Sequence, residues 1–461
     1  MVTNGGEEVM EPVVVVGGAR VFLGDCREVL RGLPDNSVDS VVTDPPYELG
    51  FMGKSWDSSG IAYDVTVWEE CLRVLKPGGH VLAFGGSRTW HRLAVAIEDA
   101  GFEIRDNIAW IYGSGFPKSL NVSKAIDKAA GAQREVVAKK PYTSAKMPAG
   151  DSHVGTYGAE RIVSDETAPA TAEAQQWEGW GTALKPAHEP IVVGRKPFGK
   201  GVTVAGNVLA WGVGGLNIDG SRIEHDGTGQ WGTINRSNTR GVYGSFGDED
   251  GKTPGSKRNP AGRWPANVIL DEVTAGLLDE QSGVSKSTRS EMTSKPGDVY
   301  GAGKGLPSHT GVYGHNDAGG ASRFFYVAKA SKRDRNEGLE KLEGASSGGK
   351  GNGLARICES CGASILKPCD CPERSFVNPA VKNFHPTVKP TQLMRYLIKL
   401  VTPPGGTVLD PFTGSGSTGK AALLDGFNFV GAELTEEYLP IIEGRLRWAI
   451  EQEGETDERL F

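Results

Sequence analysis

A glycine-rich turn placed almost at the end of the chain is the feature that most limits the fold. Gly414-Ser-Gly416-Ser-Thr-Gly419 follows an apolar run, Thr407–Leu409, and opens a helical stretch, Ser417–Leu424. Phe427–Gly431 then reads as a strand and Glu436–Ala449 as a helix, so this segment is a βαβα unit. Only 28 residues follow Glu433, too few to complete a parallel sheet. The missing strands must come from the other end of the chain, and that end has them. Strand runs Arg20–Leu23, Ser40–Thr43, His80–Phe84 and Phe102–Trp110 alternate with amphipathic stretches through Val29–Leu33, Tyr63–Leu75 and Thr89–Ala100. The expected fold class is α/β: a doubly wound, mostly parallel sheet entered in circularly permuted order.

Composition shows where that pattern fails. Glycine makes 65 of 461 residues, twice the usual ~7%, and residues 201–360 hold 31 of them. From 136 to 322 the alternation dissolves, and short candidate strands (Ile191–Val193, Val202–Ala205, Val268–Leu270) lie among Gly, Ser, Thr and Asn. The net charge of −7 does not exclude a polyanionic partner. Residues 433–461 carry nine acids and three bases, which leaves only −1 on the rest, while residues 251–350 carry 15 bases against 11 acids. No apolar run approaches the ~18 residues of a membrane span, and Val13–Val16 is too short for a signal-peptide core. A cytoplasmic protein without a membrane partner is expected.

Three readings of the glycine turn compete. Glycines there permit a tight turn and let helix amides approach a ligand closely. As a dinucleotide fingerprint, the turn has an acid, Glu433, placed to hold ribose hydroxyls. As a phosphate loop it nearly fits, Gly414 to Gly419-Lys420, but Ala421 stands where a Ser or Thr must hold magnesium. The third reading is an adenosyl-cofactor site. Asp410-Pro411-Phe412 puts a carboxylate beside the turn, where it would repel a pyrophosphate but suits a sulfonium bearing an ammonium group. The turn's late position disfavours both rivals, which normally begin with it.

Asp44-Pro45-Pro46-Tyr47 directly follows the run Ser40–Thr43. The proline pair fixes φ and withdraws two N–H donors, leaving carbonyls that only accept. An acceptor-rich corner ending in an aromatic ring is what an exocyclic amino group on a flat base requires. The carboxylate and the Pro45 carbonyl can take its two hydrogens while the Tyr47 ring stacks on the base; taken alone, the tetrapeptide reads equally as a turn after a strand.

With the glycine turn, this tetrapeptide resembles the amino-group DNA methyltransferases of the permuted, beta-type order, and the layout looks like that of phage or prophage members. Leu23-Gly24-Asp25, Leu33-Pro34-Asp35-Asn36-Ser37-Val38-Asp39 and Phe384-His385-Pro386-Thr387-Val388-Lys389-Pro390 are further family-like stretches. The resemblance covers about 1–135 and 324–446. It implies S-adenosylmethionine as cofactor and double-stranded DNA as partner, with a homodimer compatible. Asp25 would contact the cofactor's adenine and Glu433 its ribose. Asp410, Pro411, Phe412, Gly414, Gly416 and Thr418 would hold the methionine part, and Thr387 and Lys389 would close the pocket. Asp44, Pro45, Pro46 and Tyr47 would be catalytic in a direct in-line transfer to a flipped base. An initial Asp goes in this family with adenine N6; cytosine N4 is the alternative. An RNA methyltransferase and a non-catalytic DNA-binding relative are the remaining readings. Cytosine C5 chemistry is rejected, since Pro368-Cys369 lies in a cysteine cluster upstream of the cofactor turn. No endonuclease motif is legible, so a lone modification enzyme is expected.

The implied organisation is 1–135 as the first half of the catalytic core, 136–323 as the target-recognition region, 324–381 as a strand, basic segment and cysteine linker, 382–449 as the cofactor half, and 450–461 as an acidic tail. Within 136–323, Gln175, Gln176, Trp177, Trp180, His188, Trp231, Arg236, Arg240, Arg263 and Trp264 are candidate base or phosphate contacts. Cys26 and Cys71 read as buried reduced thiols. Cys358, Cys361, Cys369 and Cys371 crowd into fourteen residues. They have the makings of a small structural zinc knuckle, with a reduced loop as the alternative.

Overall fold

Strands from both ends of the chain lie side by side in one sheet. The computed structural model describes residues 10–50, 55–115, 119–141, 163–224, 262–286, 318–329, 334–340, 342 and 382–452, with short pieces at 3–4, 7–8, 290–293, 310–313, 357–358 and 376–377. Among the described residues the central sheet has ten strands: β1 Val14–Val16, β2 Ala19–Leu23, β3 Val38–Thr43, β4 Leu75–Phe84, β5 Glu103–Ile111, β6 His188–Arg195, β7 Val268–Asp271, β8 Tyr326–Ala328, β9 Thr407–Asp410 and β10 Asn428–Glu433. Their spatial order is β8-β7-β5-β6-β4-β3-β9-β10-β2-β1. β6 is antiparallel to both β4 and β5, and β1 is antiparallel to β2; every other pairing is parallel. The last two strands in sequence therefore fill the middle of the sheet, between β2 and β3.

Side chains alternate across the central strands, and both faces are covered. Val41, Val81, Ala83, Leu409 and Val430 pack on one face with α1 (Cys26–Arg31), α2 (Val65–Val74) and α3 (Trp90–Asp99). Val42, Leu82, Phe84, Val408 and Phe429 pack on the other with α6 (Thr391–Val401), α7 (Ser417–Leu424) and α8 (Leu439–Gln452). The remaining numbered helices, α4 (Val204–Trp211) and α5 (Glu272–Ser282), belong to the middle of the chain. Trp68 of α2 has no exposed surface and donates its Nε1–H to the Ala62 carbonyl at 3.0 Å. Truncating such a side chain costs about 3–5 kcal/mol. Cys26 and Cys71 are buried free thiols, as their apolar settings suggest. Among the described residues no helix is long and apolar enough to cross a membrane.

The structure departs from the sequence reading in the middle of the chain. β6, β7 and α5 all fall inside 136–323, so the stretch assigned to target recognition also lends two strands to the central sheet. The candidate strands Ile191–Val193 and Val268–Leu270 are the short apolar cores of these two strands. Val202–Ala205, read as a strand, instead begins α4: its β-branched residues suggested extension, but Thr203 accepts from Gly206 N–H and caps a helix. Lys76-Pro77-Gly78-Gly79 does follow the end of α2, yet it already belongs to β4.

Candidate functional site

In a mostly parallel sheet the loops at the carboxyl ends of the strands share one edge, and ligands bind there. Asp25 follows β2, Asp44 follows β3, Asp410 ends β9 and Glu433 ends β10. Because β6 runs the other way, its first residues, His188 and Glu189, reach the same edge. A cavity of about 1260 Å³ runs along it. Its lining brings together Asp25, Asp44, Pro45, Pro46, Tyr47, Thr387, Lys389, Asp410, Pro411, Phe412, Gly414, Thr418 and Glu433. Of the core residues chosen from sequence, Gly416 alone stays outside the lining; it caps the start of α7 with φ +73°.

One half of the cavity is braced. Asp410 accepts from the Thr43 hydroxyl at 2.6 Å and the Phe412 N–H at 3.0 Å, and its other oxygen accepts from Thr418. It thereby ties β3, β9 and α7 together, and burial lifts its pKa to about 6. Glu433 accepts from Gly414 N–H at 2.7 Å and Thr435 N–H at 2.8 Å, with burial raising it to about 7. Asp25 caps α1 through Arg27 N–H and pairs with the Arg27 guanidinium at 2.7 Å. That hydrogen-bonded pairing lowers its pKa. Gly414 has φ +55°, and a Cβ there would lie 2.9 Å from His385 Nε2. Beneath the turn, Arg445 is fully buried and donates to the Ser415 carbonyl at 2.8 Å and to the Ser415 and Ser417 hydroxyls at 3.0 Å. Lys420, which a phosphate loop would aim at a ligand, is buried against Asp334 at 2.7 Å and Glu337 at 2.9 Å.

The other half is arranged differently. Lys389 Nζ lies 2.6 Å from Asp44 Oδ2 and 3.4 Å from Glu189 Oε2. Asp44 Oδ1 is buried with no hydrogen-bond partner among the described residues. Burial raises the Asp44 pKa, and the Lys389 charge only partly offsets it. Burial works against the Lys389 ammonium, but the two carboxylates outweigh it and hold its pKa above the lysine range. The Tyr47 hydroxyl donates to Glu189 Oε2 at 2.8 Å, and the Thr89 hydroxyl fixes the Tyr47 carbonyl at 2.9 Å. Asp44 lines the cavity, and a buried acceptor left without a donor is rare in a folded chain.

A sequence-family model described as DNA methylase, covering the N6 and N4 amino-group classes, matches residues 38–444. The chain belongs to that family. Among curated methylases it is 26% identical over 209 residues to the Type II methyltransferase M.HindIII of Haemophilus influenzae, a match spanning 45% of this chain and 50% of the relative. It is 32% identical over 114 residues to the Type II methyltransferase M.HpaI of Haemophilus parainfluenzae, spanning 23% and 36%. The chain thus spans half or less of the length of these relatives. Among solved structures, the PvuII DNA methyltransferase (cytosine-N4-specific) aligns over 98% of this chain and 90% of its own at 11% identity and TM-score 0.40. The M1.HpyAVI–SAM complex aligns over 93% and 98% at 15% identity and TM-score 0.33. Those likenesses are too loose to bear on the site of this chain.

The other sequence candidates are scattered. Cys361, Cys369 and Cys371 lie outside the described residues, as does the Cys358 side chain, so the zinc knuckle does too; among the described residues no His, Cys, Asp and Glu group is arranged to hold a metal. Trp231, Arg236 and Arg240 also lie outside. Trp177 and Trp180 are exposed and in edge contact at 4.9 Å. Trp264 is exposed, but Arg263 is buried and donates to the Arg323 carbonyl, so it is no surface contact. Sequence reading missed Glu189 and the brace formed by Arg445. Glu189 carried one faint mark, an acid directly before Pro190 and the apolar run Ile191–Val193.

Proposed function

We propose that this protein is a site-specific DNA methyltransferase that uses S-adenosylmethionine to methylate an exocyclic amino group, adenine N6, on a base flipped out of the duplex. The observation that carries the proposal is Asp44, whose buried Oδ1 has no partner among the described residues, beside the acceptor-only Pro45 in the lining of a cavity large enough for a cofactor and a base. The braced half fits S-adenosylmethionine: a turn that presents Gly414 with no side chain and the small Ser415, Ser417 and Thr418, and the carboxylates Asp25, Asp410 and Glu433 along the wall. Glu433 and Asp25 would hold the ribose and adenine ends, and the 410–418 turn the amino-acid end. When bound, that cofactor supplies a methyl group on a cationic sulfur.

Asp44 and the Pro45 carbonyl would accept the two amino hydrogens, favouring a pyramidal nitrogen whose lone pair points away from the ring. Tyr47 would give the flipped base an aromatic surface in place of its lost neighbours. The work is positioning and electrostatics, with no covalent enzyme intermediate. Adenine is chosen because Asp, rather than Ser, begins the tetrapeptide. The test is mass spectrometry of nucleosides from unmethylated genomic DNA incubated with the protein and S-adenosylmethionine, with structured RNA alongside. N6-methyladenine in the DNA is expected. N4-methylcytosine would overturn only the base, and methylation confined to RNA would overturn the substrate.

A further inference from the structure

Resting on that reading, the geometry around Asp44 raises a question of charge. Methyl transfer to an amino group makes the target nitrogen cationic: the nitrogen lone pair forms the new N–C bond, the old C–S bond breaks with its pair on sulfur, and the nitrogen then sheds one proton toward solvent. A corner that stabilises this change must be net negative. Asp44 alone does not provide that, because the Lys389 ammonium 2.6 Å from Oδ2 neutralises it. Glu189 restores the balance: its carboxylate sits 3.4 Å from the same ammonium, so two acids share one base. All three side chains are largely withdrawn from solvent, at 17%, 17% and 7% exposure for Asp44, Glu189 and Lys389, so their charges are weakly screened.

We propose that Glu189 is the positioning residue of this site: it gives Lys389 a second carboxylate, keeps the corner net negative, and fixes Tyr47 through its hydroxyl. When a target amino group arrives, Asp44 accepts its hydrogen through Oδ1 while Oδ2 stays with Lys389, whose charge Glu189 shares. The placement follows from topology. Only a strand antiparallel to its neighbours can bring its first residues to the edge where the parallel strands end, and β6 is such a strand. The ionisable groups around Asp44 are Tyr47 on its own loop, Glu189 on β6, Lys389 and His385 on the segment before α6, and Asp410 on β9; Tyr112, after β5, faces Glu189.

The experiment compares the full-length wild type with Glu189→Gln, which keeps the volume and one acceptor for Tyr47 but removes the charge. In the cofactor-free protein the Asp44 carboxyl is followed by carbon-13 NMR against pH, its resonance assigned by its absence in Asp44→Asn. Losing a nearby negative charge eases ionisation, so the Asp44 midpoint is expected to fall by about one pH unit in Glu189→Gln. In turnover, kcat is expected to fall roughly 100-fold with the KM values for DNA and cofactor little changed, and Glu189→Asp to recover part of the loss. An unmoved midpoint, or wild-type kcat in Glu189→Gln, would overturn the role of Glu189 while leaving methyl transfer intact. A wild type that transfers no methyl group, with the midpoint shifting as expected, would instead overturn the methyltransferase reading.

Discussion

The carboxylates on the carboxyl edge of the sheet fall into two groups. Asp25, Asp410 and Glu433 each have their oxygens engaged by donors of the protein: a guanidinium, threonine hydroxyls, backbone amides. Asp44, one strand away from Asp410, keeps a buried oxygen, Oδ1, without a donor among the described residues. An unsatisfied buried acceptor costs about 1–3 kcal/mol, so a fold that completes three acids and leaves the fourth open has reserved that position. Satisfied carboxylates shape a pocket; the unsatisfied one is where chemistry is to be expected.

The sharpest way to break that contrast is to alter the open acid. Asp44→Ala is expected to lower methyl transfer about 1000-fold, measured as tritium moved from labelled S-adenosylmethionine into DNA. Near-normal transfer would mean that the open oxygen is incidental. Altering a closed acid should act on the fold instead. Asp410→Ala strands the Thr43 and Thr418 hydroxyls and the Phe412 N–H, and a urea melt should show a loss of about 3 kcal/mol. A loss below ~1 kcal/mol would show that Asp410 braces nothing.

The braced half also has a pH signature. Burial holds Glu433 at about 7 in the folded chain against an ordinary 4.5, and Asp410 at about 6 against 3.8. A raised carboxyl pKa means that the folded state binds the proton more tightly than the unfolded state. The contribution is therefore fully present below the unfolded value and is lost as pH rises through the folded one. Unfolding free energy of the cofactor-free chain should fall by about 2 kcal/mol between pH 5 and 8 through Glu433 alone. Glu433→Gln should flatten that slope in chemical melts, and an unchanged slope would place the titration elsewhere. The smallest effect is expected from Gly414→Ala. Its φ of +55° and the approach of a new Cβ to His385 should cost about 1–2 kcal/mol. Isothermal calorimetry should show weaker S-adenosylmethionine binding in the same variant.

What was legible in sequence was local. The Asp44–Tyr47 corner and the 414–419 turn are contiguous, and their chemistry depends on spacing within a few residues. The late βαβα unit was legible too, and its two strands lie in the sheet beside those of the first 135 residues. Long-range features were not. Lys389 read as part of a cofactor lid, yet it lies on Asp44, 345 positions earlier. Glu189 gained its place from the direction of β6, which no pattern in residues 188–195 announces. β6 and β7 were visible only as fragments of three apolar residues each, because tertiary packing rather than local periodicity makes them strands.

The division between braced and open acids is tested most directly by titrating S-adenosylmethionine calorimetrically into the wild type, Asp44→Ala and Asp410→Asn. Unchanged affinity in Asp44→Ala is expected, beside a loss of tenfold or more in Asp410→Asn, which loosens the turn proposed to hold the cofactor. Cofactor binding lost equally in both variants would contradict the division and return Asp44 to the same role as its neighbours.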